Sequence, residues 1–135
     1  MTQPINSDAW LTAEFIPSAA YYSDNDCVEY VNEDTACVYE RIDEFLTLIR
    51  DETGYNLIGF KMKGFRYIYE THLKSRVVLD HSSFVRMAQV IEAVCQQIGD
   101  DLWVDDRRGN AYKAAKKIAE KDRVELWELP EGLAA

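Results

Sequence analysis

The clearest pattern of apolar and polar positions lies in the first half of the chain. A strand-like run at 45–50 is followed by turn residues that include a glycine, and then by a second run at 57–63. In the second run Phe60 and Met62 alternate with lysines, so both apolar side chains are expected on one face of a strand. The pattern therefore predicts a β-hairpin, and Gly59 within it predicts a bulge or a close approach of the backbone.

Two later segments carry apolar residues at helical spacing. An apolar stripe predicts a helix over about 83–98, with a serine such as Ser83 as its cap and Gly99 just past its end. A second helix is predicted over 110–121, with Asn110 as its cap. Both helices are expected to turn one apolar face towards a core.

The remaining segments give weaker signals. A short strand is predicted at 27–31, residues 36–42 are ambiguous, and 124–129 form either a final strand or an extended clamp. Residues 65–73 alternate as in a strand but also place apolar groups at helical spacing. We favour a helix there, because Gly64 separates this run from the hairpin.

The order of these elements predicts the fold class. Strands come first and helices second, which favours an α+β fold over alternating βαβ units. We expect a small antiparallel sheet of three to five strands, mainly from residues 27–63, packed against two main helices at about 83–98 and 110–121. The 135 residues suit a single domain, 1–135, with 1–26 as an irregular N-terminal arm packed on the core.

Composition limits the compartment and the cofactors. No apolar run approaches the roughly 20 residues that cross a bilayer, and the first residues do not resemble a secretion signal. We therefore expect a cytoplasmic protein that does not enter a membrane. The three cysteines, Cys27, Cys37 and Cys95, are an odd and widely spaced set, which suits reduced structural thiols better than disulfides or metal ligands.

Charge is distributed unevenly along the chain, whose net charge is −9. Residues 1–60 carry twelve acids against two bases, whereas residues 107–123 carry seven bases against two acids. The acidic whole argues against nucleic acid as a partner, except through 107–123. The basic segment is either a solvated helix face or a contact surface for an acidic protein, which includes a second copy of this chain. Its candidate interaction residues are Arg107, Arg108, Lys113, Lys116, Lys117 and Lys121.

An exposed edge of the predicted hairpin is a second candidate surface. Lys61 and Lys63 lie on its return strand. Lysines on an edge strand discourage uncontrolled pairing, so we expect these two to protect the edge.

The histidines are the weak candidates for catalysis. His72 lies on the presumed apolar face of residues 65–73, and His81 stands between Asp80 and two serines. The string Asp-His-Ser suggests a triad, but a triad is assembled in space and seldom from neighbours in sequence. Residues before a helix are better explained as capping groups. An enzyme using His72 or His81 with a carboxylate is therefore an alternative hypothesis.

Clustered acids are the weak candidates for metal binding. Four aspartates crowd the loop after the first predicted helix, but their spacing does not match an EF-hand, and a solvated loop explains them. The chain also lacks the phosphate-binding, nucleophile and zinc motifs of common enzyme families, so no cofactor and no metal are expected. The four aspartates are Asp100, Asp101, Asp105 and Asp106.

Three hypotheses about function follow. The first is a small non-enzymatic interaction or regulatory module that associates with a protein partner or with itself. The second is the small histidine enzyme. The third is an acidic decoy or inhibitor, in which residues 1–60 present carboxylates to a basic partner.

Overall fold

The protein forms an antiparallel sheet with helices packed on one face, so the predicted α+β fold is confirmed. The computed structural model describes residues 17–73 and 85–127. The five strands of the sheet are, along the chain, β1 (Ala20–Tyr22), β2 (Cys27–Val31), β3 (Val38–Arg41), β4 (Leu46–Arg50) and β5 (Leu57–Lys63). In space they stand in the order β1-β2-β5-β4-β3.

The helices follow the sheet in sequence. The elements are α1 (Phe65–Ile68), a π-helical turn (Tyr69–Leu73), β6 (Val85–Arg86), α2 (Met87–Ile98), a 3-10 helix (Gly99–Trp103), α3 (Asp106–Lys121) and β7 (Glu125–Leu126). A two-stranded ladder between β6 and β7 ties the start of α2 to the chain that follows α3.

The core lies between one face of the sheet and the two main helices. Leu48 of β4 stands opposite Phe60 of β5, so the period of two along each strand brings their side chains to the same face. The buried residues of this core include Val28, Tyr30, Leu46, Leu48, Phe60 and Met62 of the sheet, Val90, Ile91 and Val94 of α2, and Tyr112, Ala115 and Ala119 of α3.

The predicted start of the first main helix was wrong. Helix α2 begins at Met87, with Arg86 as an N-cap that makes no side-chain capping bond. Val85 and Arg86 are extended because they pair with β7, and the amide of Met87 donates to the carbonyl of Val124 at 3.0 Å. This contact between distant parts of the chain overrides the helical spacing. The proposed serine cap lies outside the described residues.

The second main helix also starts elsewhere than predicted. Helix α3 begins at Asp106, and its cap is Asp105 rather than Asn110: the Asp105 carboxylate accepts from the amide of Arg107 at 3.0 Å. The first turn contains charged residues and Gly109, so it carries no apolar periodicity that the sequence could reveal.

Part of the predicted irregular arm is a strand. Residues 20–22 form β1, which pairs with β2 at one edge of the sheet, while residues 1–16 lie outside the described residues. The ring of Tyr21 packs against Phe65, with 5.8 Å between centroids, so β1 contacts the core.

The three ambiguous segments each adopt a definite structure, and Val38–Arg41 within 36–42 form strand β3. Residues 65–73 are helical, as favoured, and Gly64 precedes them with φ of 73°. The carboxylate of Asp26 accepts from the amide of Arg66 at 3.0 Å and so satisfies the start of α1. At the other end of the chain, Glu125 and Leu126 form a strand.

The hairpin itself is confirmed, but its place in the sheet differs from the prediction. Strand β5 is central, so Lys61 and Lys63 do not protect an edge. The register with β4 shifts beside Gly59, and a side chain on Gly59 would collide with the backbone of Tyr30. Both the bulge and the close approach are therefore present. In the described segments, no helix has the length and apolar character to cross a membrane.

Candidate interaction surface

All six candidate interaction residues lie on α3, but their environments differ. Arg107 and Arg108 stand in its first turn, beside the connection between β3 and β4. The lysines follow along the helix. The helix ends at Lys121 with Asp122 as its C-cap, and Arg123 after it has a positive φ of 51°. The amide of Val124 donates to the carbonyl of Ala119 at 3.0 Å.

Arg107 pairs with the edge strand of the sheet. Its Nη2 atom lies 2.8 Å from Oε2 of Glu40, and Nε of Arg50 lies 3.0 Å from the other oxygen of the same carboxylate. These two hydrogen bonds lower the pKa of Glu40. Glu40 is thus neutralised by two guanidinium groups within its own chain.

Arg108 belongs to a more buried cluster centred on Asp43. Its Nε donates to Oδ2 of Asp43 at 2.8 Å, and the hydroxyl of Tyr112 donates to the same oxygen at 2.7 Å. The amides of Phe45 and Leu46 donate to Oδ1 at 2.9 and 2.8 Å. The Asp43 side chain is 7% exposed and its acceptor sites are well used.

The protonation of this cluster follows from its contacts. Burial alone would raise the pKa of Asp43, but hydrogen bonds from Leu46, Tyr112, Phe45 and Arg108 outweigh burial and hold that pKa below its usual value. Burial and the neighbouring carboxylate raise the pKa of the Tyr112 hydroxyl. At neutral pH the cluster therefore holds an ionised carboxylate between a guanidinium and a neutral phenol, and it joins the β3–β4 turn to α3.

Three of the lysines form an exposed stripe along α3. Lys113, Lys117 and Lys121 are exposed and recur every four residues, which places them on one side of the helix over about 12 Å. Lys116 differs, because its ammonium lies 3.8 Å from Glu92 of α2. We call Lys113, Lys117 and Lys121 the lysine stripe.

A tryptophan stands beside the first residue of the lysine stripe. Trp103 is 51% exposed, and the ammonium of Lys113 lies 6.0 Å from the centre of its ring. The ring rests against Gly109, where any side chain would collide with it. Next to Trp103, a groove of about 590 Å³ opens between α2 and α3, and Cys95, Leu102 and Tyr112 contribute to its walls.

The candidate catalytic residues lie largely outside the described part of the chain. His72 lies in the π-helical turn, and its side chain is outside the described part of the chain. Asp80 and His81 lie in 74–84, which is likewise not described. The histidine enzyme thus stays a prediction.

The four aspartates lie at the surface, and the three cysteines are free thiols. Asp100, Asp101, Asp105 and Asp106 are all exposed, and Asp105 caps α3. Among residues 17–73 and 85–127, no three His, Cys, Asp or Glu side chains are arranged to hold a metal ion. The free thiols are Cys27, Cys37 and Cys95, and burial raises the pKa of each.

The sequence did not identify Glu40, Asp43 and Tyr112 as partners of the basic segment. Asp43 and Arg108 are 65 residues apart, and no periodicity links them. The one signal in the sequence for these contacts was the opposite charge of residues 1–60 and 107–123. That signal fits association between two molecules equally well. Comparisons with known protein families, curated proteins and solved structures find no match for this chain.

Proposed function

We propose that this chain is a non-enzymatic interaction module that binds an acidic protein segment on the lysine stripe of α3. The observation that carries the proposal is the division of the basic segment. Two arginines are paired with acids of the same chain, whereas three lysines at four-residue spacing stay exposed beside a half-exposed tryptophan.

The four-residue spacing of the lysine stripe supports a binding role, because repulsion between its charges lowers the stability of the helix. Like charges four residues apart repel by about 0.2–0.5 kcal/mol per pair, and the stripe contains two such pairs, Lys113 with Lys117 and Lys117 with Lys121. A helix face serving only solubility gains more from alternating charges. A partner whose carboxylates repeat at the same spacing converts the repulsion into attraction.

Trp103 supports the proposal by adding an apolar anchor at one end of the stripe. Tryptophan is enriched among the residues that dominate binding energy at protein interfaces. Gly109 leaves the space that lets this ring contact α3, so the ring position is built into the helix. Val104, 84% exposed, extends the apolar end of the surface.

The sequence suggested that Arg107 and Arg108 contact a partner, but in this proposal they do not. Their contacts with Glu40 and Asp43 make them positioning residues, which hold α3 against the sheet. The same contacts engage two of the acids that an acidic decoy would present to a partner. The partner of the stripe is therefore sought among acidic segments of other proteins.

The test is binding of a designed acidic peptide to the intact protein. The probe is a fluorescein-labelled helical peptide with glutamates at every fourth position and a leucine at one end, measured by fluorescence anisotropy. We expect Lys113→Glu with Lys117→Glu to weaken binding about tenfold or more, since two attractive contacts become repulsive. We also expect binding to weaken as salt is raised.

The controls separate a local contact from the overall charge. Lys61→Glu with Lys63→Glu makes the same charge change on β5, on the sheet face opposite the helices, and is expected to leave binding nearly unchanged. Equal weakening by both double variants, or equal binding of a peptide with glutamine in place of glutamate, would overturn the proposal. So would tighter binding of a single-stranded oligonucleotide than of the acidic peptide.

A further inference from the structure

We propose that β3 is a dimerisation edge, at which two copies of this chain join their sheets into one ten-stranded antiparallel sheet. Strand β3 stands at the end of the strand order, and no described strand pairs with its outer side. Its Val38 and Tyr39 are 43% and 54% exposed. This surface is separate from the lysine stripe.

The hydrogen-bond pattern shows which backbone groups are offered at this edge. The amide of Ile42 donates to the carbonyl of Leu46, and hydrogen-bonded pairs alternate along an antiparallel ladder. The backbone groups of Val38 and Glu40 therefore point towards β4. Those of Tyr39 and Arg41 point outwards, as a donor and an acceptor on each residue.

The two edges of the sheet differ in the devices that block pairing, although β3 is itself only four residues long and carries the exposed Arg41. Strand β1 has only three residues, and Pro17 lies shortly before it. Short strands and prolines are devices that block edge pairing. Strand β3 has neither a lysine nor a proline, and its inward charge, Glu40, is already paired with Arg50 and Arg107.

The side chain of Tyr39 leaves the edge clear. Its hydroxyl donates to Glu29 of β2 at 2.8 Å, so the ring is directed across the sheet, away from the outer side of β3. The backbone of Tyr39 is therefore accessible to a strand of a second copy.

Charge disfavours two of the registers that a two-fold pair on β3 could adopt. Centring the pair on Glu40 would set two glutamates directly opposite each other, and centring it on Arg41 would do the same with two arginines; both are unfavourable. Centring it on Tyr39 sets Tyr39 opposite Tyr39 of the second copy, and Val38 opposite Glu40 of that copy. In this register the two Tyr39 residues exchange two backbone hydrogen bonds, and Arg41 faces Cys37 of the second copy.

The test compares two substitutions at one position by sedimentation equilibrium. Tyr39→Pro removes the outward amide but no bond to β4, whereas Tyr39→Phe removes only the hydroxyl contact with Glu29. We expect the wild type and Tyr39→Phe to form dimers as concentration rises to about 1 mM, and Tyr39→Pro to bind itself at least tenfold more weakly. Lys113→Glu with Lys117→Glu is expected to dimerise as the wild type does.

Hydrogen exchange of the wild type gives a second readout that does not depend on the proline variant folding. The amides of Tyr39 and Arg41 are expected to exchange more slowly at high than at low protein concentration, while those of Val38 and Glu40 stay the same. A wild type that remains monomeric, exchange at Tyr39 that is independent of concentration, or a folded Tyr39→Pro that dimerises normally would each overturn the inference.

Discussion

The two parts of α3 use positive charge in different ways. In the first turn, Arg107 and Arg108 pair with Glu40 and Asp43 of the sheet. Farther along, the lysine stripe is exposed. The net charge of the segment does not distinguish the two parts, so an interaction surface has to be identified from which charges remain exposed after folding.

The residue types suit the two roles. A planar guanidinium presents several donors in fixed directions, which suits the fixed carboxylates of Glu40 and Asp43. Lysine carries a mobile point charge on a flexible stem and can adjust to a partner. The comparison predicts that substitutions in the first turn chiefly change stability, whereas substitutions in the stripe chiefly change binding.

The largest expected effect is a loss of stability on removing Asp43. Asp43→Ala leaves Arg108 and Tyr112 without their acceptor in a mostly buried site, and we expect the free energy of unfolding to fall by about 3 kcal/mol. Urea denaturation measures this loss. The neighbouring Glu44→Ala removes an exposed carboxylate 3.9 Å from Arg108 and should change stability by less than about 0.5 kcal/mol. Equal losses in both variants would contradict the buried role of Asp43.

The contribution of Asp43 to the free energy of unfolding is expected to depend on pH. The folded pKa of Asp43 lies below its usual value of 3.8, so its ionised form stabilises the fold above that pH, and the contribution is lost as pH falls through the folded pKa. The stability difference between the wild type and Asp43→Asn should therefore be largest near neutral pH and shrink below about pH 4. Urea midpoints measured across this range provide the check, and a difference that stays constant would contradict the prediction.

A smaller effect of the opposite sign is expected in the lysine stripe. Lys117→Glu replaces two repulsive pairs four residues apart with two attractive ones, but it also turns the attractive pair of Lys117 with Glu120, three residues on, into a repulsive one. We therefore expect the free energy of unfolding to rise by about 0.5 kcal/mol at low salt. Lys117→Gln removes these three interactions without reversing their sign and should give about half of that gain. Binding of the acidic peptide should weaken in the first variant even though its fold is more stable. A loss of stability in Lys117→Glu would show that Lys117 makes a contact within the chain.

The smallest expected change in stability is at Gly109. Gly109→Ala favours the helix by up to about 1 kcal/mol but displaces the Trp103 ring, and we expect the two effects nearly to cancel. The indole N–H resonance of Trp103 should shift, and the acidic peptide should bind more weakly. Asn110→Ala, at the exposed neighbouring position, should leave both the Trp103 resonance and the binding of the acidic peptide unchanged. An unchanged Trp103 resonance in Gly109→Ala would contradict the contact.

Local patterns predicted much of the fold. The hairpin was found because its apolar residues alternate, and the end of α2 was found because Gly99 adopts a positive φ of 67° there. The start of α2 was missed because pairing with β7 extends Val85 and Arg86. The candidate surface was only partly predicted: the sequence located its basic residues but did not separate the paired arginines from the lysine stripe.

The sequence by itself determined the periodicities, and with them the α+β architecture and the side of each main element that faces the core. These follow from spacings of two and of three to four residues, which are visible within one segment. Only the tertiary structure decided which charges are engaged. Asp43 meets Arg108 and Tyr112 across 65 and 69 residues, because packing of α3 on the sheet brings them together. The same packing leaves the lysine stripe and the outer side of β3 exposed, and these are the two surfaces on which the proposals for partner binding and dimerisation rest.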